Sequence, residues 1–444
     1  MTSTTTRGLL YSSLHRFNNA LENLESFQKE KDIIENIGYL DDFFSNFRST
    51  TFVLQQSLAH TSHISSYESL REKYLNNPLG NWFRDTRNAI EKRSPFELNK
   101  RILVRVYHKH NAEIFESKTF NIENDIPHSE FIDLLKGFLR KFNPVEVHCS
   151  LEYIFTQEGK NHDLYQDLIE GISNMKCLLI ELYKIVNDKS DICDSLIKKI
   201  EESTFYTAPK EYLFISDYIY YPQKDLFETG ERYQILLPEE KTIDIATMFK
   251  NLGFRDTIYD SKEFLKALIK VHIVIYLQQN NKIMPTFFIV DSHDKCTIES
   301  FDSTIRTTAY RKINDLAQRV KAGGIKHITL LHECYVYENF KHHNKPYVDR
   351  IQYSTQEALA FYQIGKYIKY RVYTLDVKKL KDRQYIKETL KKRPEDNLCY
   401  TSFEDSDIKE TLKKRPEDNG VIENSLFYPL FLAFRDIRKH EKMK

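Results

Sequence analysis

Glycine, proline, cysteine and tryptophan are all scarce in this chain. Its 444 residues include 12 glycines, 12 prolines, 6 cysteines and 1 tryptophan, against 28 tyrosines and 29 phenylalanines. This composition excludes a low-complexity or collagen-like chain and favours long ordered elements. Because single hydrophobic cores rarely serve so many residues, we expect two or three domains.

The few cysteines are far apart. They are Cys149, Cys177, Cys193, Cys296, Cys334 and Cys399, and no two of them form a Cys-x-x-Cys pair. Such spacing matches neither a zinc site nor a disulfide framework. We therefore expect reduced thiols in a cytoplasmic protein.

An excess of charge of one sign is also missing. The chain has 65 basic and 64 acidic side chains, a formal net charge of +1. Binding to nucleic acid or to an anionic membrane through the overall field is therefore excluded, and any such binding has to be local. The apolar window from Leu265 to Leu277 is interrupted by charged and polar residues, and the N terminus lacks a signal-peptide pattern. We expect no association with a membrane.

The first 95 residues have the periodicity of helices. Apolar residues recur at steps of three and four from Leu10 to Leu24, from Leu40 to Leu58 and around Leu70, which places them on one side of each helix. Pro78 suits the first turn of a fourth helix, which has to end before Pro95. The pattern predicts a four-helix bundle as a first domain, residues 1–95.

After residue 95, strand and helix patterns alternate. Strand patterns cover residues 102–107, 114–120, 145–155, 212–221, 233–237, 285–291, 325–336, 357–362 and 370–375, and helix patterns cover 129–142, 163–186, a stretch after 190, 261–277, 303–321 and 424–444. Strands joined by both turns and helices predict an α+β fold with a mainly antiparallel sheet. We divide this region into an α+β segment, residues 96–204, and a C-terminal α+β domain, residues 205–444.

One segment of the C-terminal domain occurs twice. Ile386–Asn397 recurs unchanged as Ile408–Asn419, a period of 22 residues. Two copies are too few to build a solenoid. We expect residues 386–419 to be a duplicated surface insertion of helix and turn, which is either simply solvated or in contact with RNA or a protein partner.

The stretch Asn77–Pro95 ends the helical region and contains the only tryptophan, Trp82. It includes the sequence Trp-Phe-Arg-Asp-Thr-Arg-Asn, in which the last two residues are Arg87 and Asn88. A small helical bundle whose last long helix carries Arg followed by Asn resembles the HEPN superfamily. The resemblance covers about the first fifth of the chain.

The motif of that family also has a histidine that is separated from the arginine by four to six intervening residues. Here the corresponding positions are Lys92, Arg93 and Ser94. A lysine is a poor general base at neutral pH, although it still stabilises phosphate charge. A ribonuclease would therefore need another base, for which His60 or His63 on the neighbouring helix is the candidate.

The resemblance implies a homodimer in which two motifs face each other across a cleft. Arg87 would contact the scissile phosphate, Asn88 would order the helix end and the cleft, and Lys92 would add positive charge at the catalytic site. Arg84 and Arg93 would contribute RNA-binding contacts. The family implies RNA cleavage without a metal or another cofactor, and roles in toxin, host-defence or RNA-processing systems.

In a different interpretation, these charged side chains form ion pairs with one another within the helix. Arg84, Asp85, Arg87, Glu91 and Lys92 are spaced so that they can pair along an exposed helix face. A separate alternative, favoured by the absence of a histidine at positions 92–94, is a non-enzymatic dimeric adaptor or sensor.

A third interpretation is a metal-dependent hydrolase. Asp291, Asp294, His332 and His342 offer carboxylates and imidazoles near predicted strand ends, where such groups can converge on a divalent ion. Adjacent strand residues such as His332 and Glu333 point to opposite faces, so both can reach one ion only at a bulge.

Overall fold

Helices and antiparallel strands make up the described part of the chain, so the α+β prediction is confirmed. The computed structural model describes residues 8–27, 38–93, 95–96, 98–122, 126–157, 164–187, 190–203, 214–230, 261–278, 283–301, 305–336, 345–346, 349, 351–354, 356–368, 370–376, 412–414 and 425–442.

The helices are numbered here in chain order. They are α1 (Tyr11–Phe27), α2 (Gly38–Leu58), α3 (Ile64–Leu75), α4 (Pro78–Lys92), α5 (His128–Leu139), α6 (Leu164–Val186), α7 (Asp191–Glu202), α8 (Ser261–Gln278), α9 (Arg306–Ala322) and α10 (Tyr428–Lys442). Their positions agree with the helical periodicities of the sequence.

The strands are numbered in the same way. They are β1 (Leu98–Tyr107), β2 (Ile114–Ile122), β3 (Val147–Gln157), β4 (Ile215–Tyr221), β5 (Leu226–Thr229), β6 (Thr286–Asp291), β7 (Cys296–Ser300), β8 (Ile325–Val336), β9 (Gln356–Gly365), β10 (Arg371–Asp376) and β11 (Leu412–Lys414). They form a five-stranded sheet of order β2-β1-β3-β4-β5 and a six-stranded sheet of order β11-β10-β9-β8-β6-β7.

The chain forms two units. The first unit comprises residues 1–104, 118–138 and 151–216, and the second comprises residues 105–117, 139–150 and 217–444. The domain limits proposed after residues 95 and 204 stay predictions.

The first unit contains the predicted N-terminal helices. Their apolar stripes are buried, as with Leu14, Phe17 and Leu21 of α1. Two later helices pack against this region, because α7 contacts α1 and α6 contacts both α3 and α4. The helical layer of the first unit therefore extends beyond the four helices that the sequence pattern predicts.

The second unit has its core on the six-stranded sheet. Helices α9 and α10 contribute buried residues such as Leu316 and Phe427, which belong to the same cluster as Phe287 of β6 and Leu330 of β8. Gly323, with φ of +96°, follows the last turn of α9 and donates its N–H to Val320 O at 3.0 Å. The Gly-Gly pair ends this helix, as the sequence predicts.

Three short strands were missed. They are β5, β7 and β11, each paired antiparallel to one neighbour at a sheet edge. Strand β11 lies in the second copy of the repeat, where Leu412 pairs with Leu375 of β10. The prediction of helix and turn is therefore wrong for these residues, because backbone pairing with β10 determines their conformation. The remainder of the repeat, the strand predicted at 233–237, His342 and Cys399 lie outside the described residues.

No helix in the described ranges combines the length and the apolar character that crossing a membrane requires. The five cysteines in these ranges are free thiols.

Candidate functional site

Helix α4 carries the Arg-Asn pair, and its first turn is held in place by local bonds. The side chain of Asn77 caps the helix, since its Oδ1 accepts a hydrogen bond from Gly80 N–H at 2.7 Å. Pro78 occupies the first turn, where its missing N–H costs nothing. A Cβ at Gly80 would fall 2.0 Å from Leu75 O, so only glycine permits this close approach to the end of α3.

The apolar side of α4 is anchored by aromatic contacts. The ring of Phe83 stacks on Phe47 of α2 at a centroid distance of 4.4 Å. Trp82 packs edge-on against Phe44, and its Nε1–H donates a hydrogen bond to Gln157 Oε1 at 2.9 Å. These contacts leave the opposite, polar side of α4 available to solvent.

Arg87 and Asn88 contact each other on that polar side. Arg87 donates from Nη1 to Asn88 Oδ1 at 3.3 Å and forms an ion pair with Glu91 Oε1 at 2.5 Å. Its guanidinium lies 5.9 Å from the ring centroid of Phe52. Its Nε is buried and has no hydrogen-bond partner among the described residues. The predicted motif residues are thus together, with one acidic residue already bound to the arginine.

The other predicted basic residues surround this pair. Arg84, one helical turn earlier, is exposed and donates from Nε to Asp85 Oδ1 at 2.9 Å. Lys92 and Arg93 are exposed at the end of the helix, where the N–H of Arg93 binds Ala89 O. One pairing of the expected helical spacing is therefore present, between Arg87 and Glu91, whereas Arg84 pairs with the adjacent Asp85.

Both histidines proposed as substitute bases lie in the turn between α2 and α3. His60 is exposed in the turn after α2, and His63 precedes the first residue of α3. Within the described ranges, no hydrogen bond or ring contact joins either of them to Arg87 or Asn88.

A cavity of about 370 Å³ lies next to this helix and was not anticipated. It is lined by Phe47, Arg48 and Thr51 of α2, by Glu68, Arg71, Glu72 and Leu75 of α3 with Asn76, by Gly80, Asn81, Phe83 and Arg84 of α4, and by Met175 of α6. We call it the arginine cavity, because Arg48, Arg71 and Arg84 line it together.

Positive charge is concentrated around Arg48. Burial, followed by the fields of Arg71, Arg84 and Arg87, lowers the pKa of Arg48 from its ordinary value. Arg48 donates to Thr51 Oγ1 at 2.7 Å and lies 4.3 Å from the ring centroid of Phe52. These four guanidinium groups repel one another, so an anion placed between them is stabilised.

Neither carboxylate of the cavity, Glu68 or Glu72, forms an ion pair with these arginines within the described residues. Glu72 accepts hydrogen bonds from Asn76 Nδ2 at 2.8 Å. Arg71 has an exposed side chain, which forms no hydrogen bond or ion pair within the part of the chain that the structure describes. The guanidinium of Arg71 is therefore available to a ligand.

Of the residues proposed for a metal-dependent hydrolase, Asp291 and His332 are not brought together. Asp291 of β6 pairs with Ile325 at the start of β8, whereas His332 lies seven residues further along β8, about 23 Å away at the rise of a strand. The described ranges hold no group of three or more His, Cys, Asp or Glu side chains that is suited to a metal ion. His342 lies outside those ranges.

Asp291, Asp294 and His332 instead have local structural partners. The Oδ1 of Asp291 accepts the N–H groups of His293 and Lys295, which lowers the pKa of Asp291. Asp294, at φ of +62°, forms an ion pair with Lys326. His332 stacks on Tyr362 at a centroid distance of 5.2 Å. These contacts explain the acidic and histidine residues without an ion.

A buried charged network in the second unit was missed altogether. Lys109 Nζ lies 2.9 Å from Glu146 Oε1, and the same oxygen is 3.7 Å from His148 Nε2. Thr307 donates its hydroxyl proton to Tyr218 O at 2.9 Å and lies 3.0 Å from His148 Nδ1. Because the hydroxyl proton of Thr307 already binds Tyr218 O, neutral His148 donates its Nδ1–H to the hydroxyl oxygen of Thr307.

A second buried ion pair involves Arg311, which lies on the same helix as Thr307. Arg311 of α9 forms a bidentate pair with Asp217, with Nε to Oδ1 and Nη2 to Oδ2 both at 3.0 Å, and the side chains are only 3% and 9% exposed. Lys109 and Glu146 are 37 residues apart in the sequence, Asp217 and Arg311 are 94 apart, and His148 and Thr307 are 159 apart. No local motif therefore predicts these contacts. We assign them a structural role, since they occupy the core.

Comparisons with protein-family models, with curated proteins and with solved structures gave no match to this chain. Its function therefore has to be argued from the side chains themselves.

Proposed function

We propose that this chain is an RNA-binding, HEPN-like protein that contacts RNA phosphates through helix α4. The observation that carries the proposal is the concentration of Arg48, Arg71, Arg84 and Arg87 around α4, in a chain whose net charge is only +1. A local positive region of this kind attracts the phosphate backbone without relying on the overall field.

Binding is better supported than cleavage. A metal-independent ribonuclease needs a base within hydrogen-bond reach of the 2′-hydroxyl group, and Lys92 occupies the position where the family has its histidine. In this proposal Arg87 binds phosphate, Asn88 orients Arg87 by accepting its hydrogen bond, and Lys92 with Arg84 and Arg93 adds positive charge.

We further propose a cytoplasmic homodimer that acts in a toxin or host-defence system. The HEPN-like resemblance supports both the pairing of two helical regions and this setting. The free thiols of the described cysteines are compatible with a reducing compartment.

RNA affinity tests the role of Arg87. We expect Arg87→Ala to weaken binding of a labelled single-stranded RNA by about tenfold or more, because a charge-assisted contact to phosphate is lost. Glu91→Gln should tighten binding, since it releases Arg87 from its ion pair. Lys198→Ala is the matched control, because Lys198 pairs only with Glu202 on the exposed side of α7. Equal affinity for wild type and Arg87→Ala would refute the proposal.

Cleavage is measured separately on a denaturing gel, with total cellular RNA and with or without EDTA. Cleavage that survives EDTA and is lost in Arg87→Ala would assign the chemistry to α4. Cleavage that EDTA abolishes would place it at a metal site elsewhere in the chain.

The adaptor interpretation is the second candidate. It is favoured by the ion pair between Arg87 and Glu91, which satisfies the arginine within its own helix. It predicts self-association in analytical ultracentrifugation together with no measurable affinity for RNA.

A further inference from the structure

The arginine cavity has the size and chemistry of a small-molecule site as well as positive charge. We propose that it binds the terminal phosphate of a nucleotide together with the attached nucleoside. The inference deepens the proposed nucleic-acid function, and it rests on that function for the choice of a nucleotide as the ligand.

The phosphate is assigned to the side of the cavity where Arg48, Arg71 and Arg84 meet. A terminal phosphate carries between one and two negative charges at neutral pH, whereas an internal phosphodiester carries one. The larger charge offsets more of the repulsion from Arg71 and Arg84, which adds to the effect of burial in lowering the pKa of Arg48. Guanidinium groups also match the geometry of phosphate oxygens through paired hydrogen bonds.

The start of helix α4 adds to this preference. Gly80 and Asn81 from its first turn line the cavity, so the positive end of the helix dipole lies near the proposed phosphate. Their N–H groups are already bonded to Asn77. The helix therefore contributes its field rather than direct hydrogen bonds.

The remainder of the cavity suits a nucleoside. A volume of about 370 Å³ is within the range of small-molecule sites and leaves room beyond a phosphate group. The apolar side chains in the lining are Phe47, Leu75, Phe83 and Met175. Glu68 and Glu72 of α3 also line the cavity, where their carboxylates can accept hydrogen bonds from ribose hydroxyls or from base amino groups.

Calorimetric titration of the full chain tests the site. The ligands are the four ribonucleoside monophosphates, adenosine and inorganic phosphate. We expect at least one monophosphate to bind at one site per chain, and to bind about tenfold or more tightly than adenosine or inorganic phosphate. If no monophosphate binds, or if inorganic phosphate binds as tightly, the proposal is overturned.

Arg71 is the discriminating position, because its exposed side chain has no structural partner in the described ranges. Arg71→Gln should weaken monophosphate binding by about tenfold or more without lowering the thermal unfolding midpoint, and Arg71→Lys should recover part of the loss. Lys198→Gln should have no effect. Unchanged affinity in Arg71→Gln would also overturn the proposal.

The bound phosphate can come from an RNA end or from a free nucleotide. Short RNAs that carry either a 5′-phosphate or a 5′-hydroxyl distinguish the two sources. A preference for the 5′-phosphate that depends on Arg71 identifies an RNA end, and binding of free monophosphate without that preference identifies a free nucleotide. Both outcomes support the site. Failure of the proposed RNA function is recognised separately, by Arg87→Ala on RNA with a 5′-hydroxyl.

Discussion

Acidification should destabilise the second unit, because buried histidines, among them His272, His327 and His332, are held neutral in the fold. Burial lowers the pKa of His272, His327 and His332 to about 4 in each case. His272 donates to Leu268 O at 2.7 Å and packs edge-on against Phe288. The Nδ1 of His327 and the Nε2 of His332 are buried without a hydrogen-bond partner among the described residues.

The charged neighbours of these rings do not reverse the shift. Lys326 lowers the pKa of His327 further while Asp294 opposes it, and Arg306 lowers the pKa of His332. Burial is the largest cause for each of the three histidines.

The sign and the size of the effect follow from linkage. An unfolded histidine titrates near pH 6.5, so between about pH 6.5 and pH 4 the unfolded chain binds three protons that the folded chain does not. The free energy of unfolding is therefore highest above pH 6.5 and falls as the pH decreases. From pH 7 to pH 5 the loss is about 2 kcal/mol per histidine and about 6 kcal/mol for three, which is comparable to the whole stability of a typical domain.

Urea unfolding from pH 7 to pH 5, followed by hydrogen exchange of peptides from β6 and β8, measures this loss in the second unit. Trp82 lies in the first unit, so its fluorescence gives a separate signal. His272→Gln should reduce the pH slope by about a third, whereas His293→Gln should not change it, because His293 lies in an exposed turn. An identical slope in His272→Gln and in the wild type would refute the reasoning.

Two predictions on stability follow from close contacts. Asp217→Asn should lower the free energy of unfolding by about 3–5 kcal/mol in urea titrations, because it removes the buried bidentate partner of Arg311 and leaves only the longer ion pair with the half-exposed Asp315, at 3.7 Å; a loss below about 1 kcal/mol would contradict this. Gly171→Ala should cost about 1–3 kcal/mol in the same assay, because the new Cβ would fall 2.2 Å from the ring of Phe83. Gly137→Ala is its control and should stabilise by about 0.5–1 kcal/mol, since nothing lies within 4 Å of that helical position; equal effects of the two alanines would exclude a steric cause.

Helices and strands whose conformation depends on residues a few positions away in the chain were predictable from the sequence. The stripe of α1, the start of α4 at Asn77 and Pro78, and the end of α9 at Gly323 all follow from helix periodicity and capping. Strand β7 was missed because its side chains are mostly exposed and do not alternate. Its conformation comes from pairing with β6, which a local pattern does not contain.

The candidate site divides in the same way. Arg87 and Asn88 were identified because they form the Arg-Asn motif, and Arg84 was identified because it lies on the same short helix. Arg48 and Arg71 were not identified, because they come from two other helices and meet α4 only in the folded first unit. Asp291 and His332 were identified from their chemistry, but the fold does not bring them together. Asp291 pairs with the first residue of β8, Ile325, whereas His332 lies seven residues further along that strand.

The sequence by itself therefore determined where most helices and strands begin and end, since steric and hydrogen-bonding preferences act over one or two turns of the chain. Tertiary structure alone decided which charges meet. Electrostatic interaction depends on the distance between groups and on their burial, and neither quantity follows from spacing along the chain. The arginine cavity and the buried pair of Lys109 and Glu146 exist only because separate elements converge on them.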